Sequence, residues 1–467
     1  MTWYFGHVWL IRLLFQRGLA AIYLAGFLGA LFQFKALLGE RGLLPVPAFV
    51  ERVRFRDAPS LFCWRYSDRL LTAVAWTGIA LSAIALSGLY EGAALWLVLW
   101  ALYLSIVNVG QTFYAFGWES MLLEAGFFAL FLGTPHTEPS LIPILCLRWM
   151  LFRTELGAGL IKLRHDACWR DLTCLYYHYE TQPLPNPASW YFHRLPKFMH
   201  RFAVLFSHFV QVIVPFGLFA PQPFASIAGA LIVFHQLWLI VSGNYAWLNW
   251  LTVVLGVTAF SDWIASPPLV PRSMLNDGVL YLLGAATIVL SIRPALNLFS
   301  KHQLMNYSYN PFHIVNTYGA FGSVTKERYE IVIEGSDDLN QWREYGFKAR
   351  PGDVQRTPPQ VAPYHLRLDW LMWFLPFSVT VRKNGIALPG YEVWFIRFVR
   401  RLLENDAATT KLLRHNPFAG RAPKFIRALY YRYRYTTAAE RKERGTWWHR
   451  ELIDVYLPPV SLDVLTS

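Results

Sequence analysis

Charge is sparse in this chain. Only 16% of its 467 residues are Asp, Glu, Lys or Arg, while 55% are hydrophobic and 17% aromatic. A soluble domain of that composition would not stay in solution, so a polytopic membrane protein is expected. Cysteine is scarce as well. Cys63, Cys146, Cys168 and Cys174 are too few for a disulfide framework. There is no HxxxH or HxxE pair and no zinc spacing, so no metal is expected, and the lack of GxSxG argues against a Ser-His-Asp hydrolase. The first apolar run has no small-residue cleavage signal after it and reads as a retained helix rather than a signal peptide. Solenoid-length repeats and low-complexity linkers are missing too.

What is present is a series of membrane-length apolar segments. They fall at 18–38, 70–89, 92–110, 119–133, 141–163, 203–220, 224–242, 245–261 and 277–292, giving eight or nine, since 119–133 carries Glu119 and Glu124 and 245–261 carries Asn249. Orientation signals conflict: Arg12 and Arg17 place the N-terminus on the cytoplasmic side, while the 39–69 loop carries six arginines on the other. After Arg293-Pro294 the texture changes to short alternating runs, at Phe312–Tyr318, Arg328–Gly335, Trp342–Phe347 and Ala428–Thr436, with an amphipathic helix at Tyr391–Glu404. The string VIEGSDDLNQWREY resembles the strand–turn–strand segment of galactose-binding-like β-sandwiches. The expected fold is therefore a polytopic α-helical membrane bundle over 1–292, with a polar hairpin at 164–202, followed by a β-rich, β-sandwich-like domain over 293–467. Residues 1–292 hold 18 Lys/Arg against 14 Asp/Glu, and residues 293–467 hold 25 against 16. That basic excess reads as a solvated surface beside anionic membrane lipids, not as a nucleic-acid site.

Charge inside the apolar part is the sharpest signal. On the 141–163 segment Arg148, Glu155 and Lys162 recur every seven residues and so share one helical stripe. Charges at membrane depth mark a functional site by default, or else a buried network in which Glu119, Glu124 and Glu155 neutralise Arg148, Arg153 and Lys162. Lys162 in a dry site is a candidate base, with Arg148 and Glu155 tuning it. Gly157-Ala158-Gly159 is small enough for close helix packing. The following stretch is too polar for lipid and offers Trp169, Arg170, Asp171, His178 and Glu180 as binding candidates. Cys168 and Cys174 bracket its first turn, 169–173, and can bridge where their loop faces an oxidising compartment. His200, His208 and His235 lie singly on their helix faces and read as hydrogen-bonded core residues.

Four blocks resemble the lipase maturation factor family: GQTFYAFGWESMLLEAGF (Gly110–Phe127), CWRDLTCLYYHYETQPLPNP (Cys168–Pro187), VSGNYAWLNWLT (Val241–Thr252) and APYHLRLDWLMWF (Ala362–Phe374). A fifth, LLRHNPFAGRAPKFIRALYYRYRYT (Leu412–Thr436), extends the likeness into the basic domain. The resemblance implies a membrane-anchored maturation factor that helps secreted lipases fold and become active. Its partners would be a lipase client and membrane lipids, it would need no cofactor, and its C-terminal part would bind the client. Animal members reside in the endoplasmic reticulum; a bacterial homologue would sit in the inner membrane. Trp342, Trp370, Trp373 and Tyr430–Tyr435, with Arg432, are the contact candidates, since aromatics and arginine dominate binding hot spots. A second, local resemblance links AGLIKL (Ala158–Leu163) and Trp169 to vitamin K-dependent γ-glutamyl carboxylases. It implies an alternative: a membrane-embedded enzyme with Lys162 as general base and a quinone-like lipid as cofactor.

Overall fold

A computed structural model describes residues 2–382 and 385–466. Each expected apolar segment contains helix: α1 (Trp9–Leu38), α2 (Asp68–Ser87), α3 (Ala93–Asn108), α4 (Gly117–Ala129), α5 (Leu141–Arg164), α6 (Leu175–Thr181, in the hairpin), α7 (Lys197–His208), α8 (Phe224–Ser242), α9 (Leu248–Val257) and α10 (Met274–Phe299). Polar caps fix several starts: Ser67 Oγ accepts from Leu70 N (3.1 Å), Ser140 Oγ from Ile142 N (3.2 Å) and Ser273 Oγ from Asn276 N (3.2 Å). Among the described residues five helical stretches are long and apolar enough to cross a membrane: α1, α2, 197–219, α8 and α10. α5 is long enough at 24 residues, about 36 Å, but is too highly charged to join them. Tyr281, Leu282 and Ile288 of α10 are at least 70% exposed, an apolar face that suits lipid rather than water.

Two helices differ from a simple reading of the pattern. α7 does not run on unbroken to 220. It passes into a π-turn over Phe209–Ile213 and then a tighter 3₁₀ stretch over Val214–Phe219, where Pro215 supplies no N–H to the ladder. α10 carries Pro294 inside it and continues to Phe299, past the point where the sequence texture changes. The 164–202 hairpin is built from short helices and turns, including α6.

The C-terminal part is β-rich. Strands β1 (Arg328–Ser336), β2 (Arg343–Glu344), β5 (Phe425–Tyr435) and β6 (Trp448–Val460) form one antiparallel sheet in the order β2-β1-β5-β6, and β3 (Thr380–Arg382) pairs with β4 (Gly385–Ala387) as a separate ribbon. Alternation in β5 buries Tyr433 and Tyr435 and turns Arg432 and Arg434 to solvent. Among the described residues no second sheet of comparable size faces this one. Its partner layer is helical: α11 (Arg367–Met372) and α12 (Val393–Leu403), whose Phe395, Phe398 and Leu402 pack in one core with Ile331, Ile333 and Ala428. The strand–turn–strand resemblance pointed to a sandwich; amphipathic helices bury similar apolar residues, and here they supply the second layer. Phe312–Tyr318 is not a strand either. His313 and Val315 take positive φ, and Asn310 Oδ1 binds the backbone N–H of Phe312 and Ile314 (both 3.2 Å), holding the chain in turns.

The two parts share a core. The 300–327 loop folds back over the bundle, with His313 bridging Ser120 Oγ (2.9 Å) and Asn108 Oδ1 (3.0 Å). Gln33 of α1 accepts from the Arg367 N–H (2.9 Å) and donates to His365 O (2.7 Å). Arg328, opening β1, reaches the hairpin carbonyls of Glu180 (3.1 Å) and Pro183 (3.1 Å).

Candidate functional site

The expected charge network forms only in part. Arg153 pairs with Glu124, both fully buried, and Glu124 also accepts from Asn316 N (2.8 Å) and Tyr318 OH (2.7 Å) of the 300–327 loop. Glu119 does not neutralise α5. It takes Arg367 of the C-terminal part at 2.7 Å, with Tyr103 OH at 2.5 Å. Arg148 has no carboxylate partner among the described residues; its Nε donates to Thr258 O (2.7 Å) and its Nη1 to Leu218 O (3.2 Å). Glu155 accepts from Gln236 Nε2 (2.6 Å). Lys162 donates to Gln211 Oε1 (2.8 Å) and Ser207 Oγ (3.3 Å), and its ammonium lies 4.7 Å from the Trp169 ring centroid. Gln211 belongs to the π-turn, so the wider winding there is what turns it toward Lys162.

The Gly-Ala-Gly triplet explains the close approaches on α5. A Cβ at Gly157 would sit 2.3 Å from Tyr318 O, and one at Gly159 would sit 2.7 Å from Val212. Between them Ala158 faces a cavity of about 610 Å³, a volume typical of small-molecule sites. Glu155, Lys162, Trp169 and His178 all line it, together with Ser207, Gln211, His235, Gln236 and Asn249. Around this polar end the walls are apolar, from Leu175, Phe206 and Leu248 among others. Trp169 is fixed by its indole N–H to Phe321 O (2.7 Å), and the 300–327 loop supplies Ala320 and Phe321 to the same wall. Cys168 and Cys174 are disulfide-bonded, with Cα atoms 4.8 Å apart, and close the turn that presents Trp169.

The remaining candidates are placed elsewhere. Arg148 lies about two turns from Glu155 and does not line the cavity. Arg170 is exposed and caps the end of α5 through the carbonyls of Leu163 (2.9 Å) and His165 (3.1 Å). Asp171 is exposed in the disulfide turn. His178 Nε2 meets Tyr245 OH (2.9 Å), and burial, then the charge of Lys162, pushes its pKa down to about 3. Glu180 faces the sheet, accepting from Tyr435 N (2.6 Å); burial raises its pKa, while that N–H and Arg328 pull the other way.

Among the contact candidates, Trp370 is a correction. It is 5% exposed, edge-on to Trp118 at 4.9 Å, so it holds the two parts together and offers nothing to a partner. Tyr430, Tyr433 and Tyr435 are likewise buried, because their alternation faces the core. Trp342 is half-buried under Arg427 (4.1 Å), and Arg432 is exposed but paired with Glu451 (2.6 Å). Gln211, Ser207 and Gln236 were missed. Their signal was present as polar residues on otherwise apolar helices, the same feature that marked Asn249.

The geometry defines a class: a helical membrane-type domain with a charged internal cavity, docked on an antiparallel-sheet domain. Comparison with known proteins narrows it. Residues 10–266 match the family model for the lipase maturation factor transmembrane domain, and residues 314–458 that for the lipase maturation factor C-terminal domain. Lipase maturation factor 1 of Homo sapiens is 40% identical over 98% of this chain and 89% of its own length; that of Mus musculus is 40% identical over 98% and 88%. Lipase maturation factor 2 of Rattus norvegicus is 28% identical over 96% and 83%. No solved structure matches the chain. The chain belongs to the lipase maturation factor family.

Proposed function

We propose that this protein is a membrane-anchored factor that brings a secreted lipase to its folded, active form. The observation that carries this reading is the family match of both parts of the chain, at 40% identity to the human protein named for that role. Residues 1–292, including the 164–202 hairpin, serve as the anchor, and residues 293–467 present the client surface. The shorter or more polar helices α3, α4, α5 and α9 complete a bundle of eight or nine membrane-embedded segments in contact with lipid. The host membrane is the endoplasmic reticulum in a eukaryote and the inner membrane in a bacterium.

A partly folded client exposes apolar surface, and the C-terminal part offers a matching patch. Phe374, Phe377 and Val381 are exposed beside a groove of about 680 Å³ that Tyr329 and Trp373 line. Shielding there favours the assembled lipase by keeping its apolar faces from aggregating. The reading needs no cofactor, and the family match lends no support to a reaction centred on Lys162. The test is the specific activity of a co-expressed secreted lipase, per molecule of lipase. Wild-type protein should raise it, Phe377→Glu should not, and Lys162→Ala should raise it as wild-type does wherever the protein accumulates normally. No rise with wild-type would refute the proposal.

A further inference from the structure

The cavity at Lys162 has an unfinished polar end. Glu155 Oε2, Asn249 Nδ2 and His235 Nδ1 all belong to residues lining it, and none has a hydrogen-bond partner among the described residues. These residues are between 1% and 4% exposed. Leaving such groups unpaired costs about 1–3 kcal/mol each, more for a carboxylate, so an occupant with polar atoms is favoured in a cavity that three of them border. Water alone fits poorly. At about 30 Å³ each, roughly 20 waters would have to sit against walls that are mostly apolar.

The mouth indicates where an occupant comes from. Phe198 and Phe202 on α7 and Phe234 on α8 line the cavity while being 71%, 68% and 56% exposed. Both helices belong to stretches apolar enough to span a membrane. An apolar groove of about 510 Å³, lined by Leu163, Leu205 and Phe209, continues from the mouth through the shared Phe202 and Phe206. Entry is therefore sideways, from lipid.

The polar end selects the head. Glu155 and Lys162 carry opposite formal charge, so a neutral head keeps the site neutral. Glu155 Oε2 calls for a donor and Asn249 Nδ2 for an acceptor, and a hydroxyl supplies both. A carboxylate only accepts and would face Glu155; an ammonium only donates and would face Lys162.

We infer that this cavity is a binding site for an uncharged, hydroxyl-headed lipid drawn laterally from the bilayer, with its head between Glu155 and Asn249 and its apolar body leaving between Phe198, Phe202 and Phe234. The site is independent of the lipase reading, and its test contains no lipase. The full chain in phosphatidylcholine nanodiscs is irradiated with a monooleoylglycerol analogue carrying a diazirine on the acyl chain, and labelled peptides are mapped by mass spectrometry. Label is expected on 197–208 and 224–242. Unlabelled monooleoylglycerol or cholesterol should displace it, the better competitor showing whether the body is a chain or a ring system, while oleate and octadecylamine should not. Ala203→Trp, which fills the mouth from a half-buried position, should abolish labelling without touching the buried polar groups. Glu155→Gln should weaken monooleoylglycerol competition about tenfold and shift preference toward oleate, because the polar end then carries a net positive charge. Label spread evenly over the lipid-facing helices, label that survives Ala203→Trp, or oleate competing as well as monooleoylglycerol in wild-type protein would each overturn the assignment.

Discussion

Among the contacts that dock the two parts is one buried ion pair whose removal has a calculable consequence. Glu119 and Arg367 are both fully buried and lie 2.7 Å apart, and the guanidinium also donates to Phe113 O (2.8 Å) and sits 3.3 Å over the Tyr114 ring. Truncating one partner strands the other charge away from water, which costs about 3–5 kcal/mol. Arg367→Met and Glu119→Gln should each destabilise by that order. The double variant removes both charges, and a well-packed neutral replacement for a buried pair costs little, so it should fall at least 2 kcal/mol short of the sum of the singles. The pair should also be insensitive to salt, since buried charges are screened little. Chemical unfolding of the detergent-solubilised protein gives the energies. Trypsin gives the location: if the C-terminal part loosens, cleavage after Lys301 and Lys326 in the 300–327 loop should accelerate in the single variants and return toward the wild-type rate in the double. Additivity within about 0.5 kcal/mol, or singles costing under 1 kcal/mol, would refute the docking role.

Other consequences are open to measurement. Cys168→Ser with Cys174→Ser releases a short loop, which should lower unfolding free energy by about 2 kcal/mol; a melting temperature unchanged by dithiothreitol would contradict this. Burial, then the charge of Arg367, pushes the His365 pKa down to about 4, and His178 behaves alike. Below about pH 6.5 the unfolded chain then binds more protons than the folded one, so stability should fall as pH drops. His365 alone should remove about 2 kcal/mol between pH 6.5 and 5, and His365→Gln should flatten the slope of melting temperature against pH over that window. Gly157→Ala should cost about 1–3 kcal/mol by forcing the Tyr318 carbonyl away from α5, and an unchanged melting temperature would show that the loop yields freely.

The helices were legible because their signal is local. Runs such as 224–242 match α8 residue for residue, since an apolar stretch between polar ends needs no tertiary information to read. Where a helix changes winding is less visible: 203–220 reads as one run although Pro215 lies within it, and the π-turn that aims Gln211 at Lys162 carries no composition of its own. The charges on α5 stood out in the sequence, yet partner choice is a tertiary matter. Glu119 lies 248 residues from Arg367, and nothing in either segment encodes the pairing. Burial of Trp370 and the β5 tyrosines was unreadable for the same reason. An aromatic-rich strand suits a core and a hot spot equally, and only the sheet's covering layer decides.

The fold joins the cavity to the C-terminal sheet through one continuous stretch of chain. Asp166, just past α5, accepts from Val324 N (2.8 Å), Trp169 holds Phe321 O, and β1 begins at Arg328, whose guanidinium grips the hairpin again. The 300–327 loop thus serves as cavity wall at Phe321 and as lead-in to the sheet four residues after Val324. Packed interiors do not deform freely, so an occupant that shifts Phe321 must move Trp169, the Val324 backbone or both. Each of those movements is passed to the hairpin that Arg328 and Glu180 tie to β1 and β5. The proposed lipid site and the proposed client surface would in this way lie on two sides of the same loop.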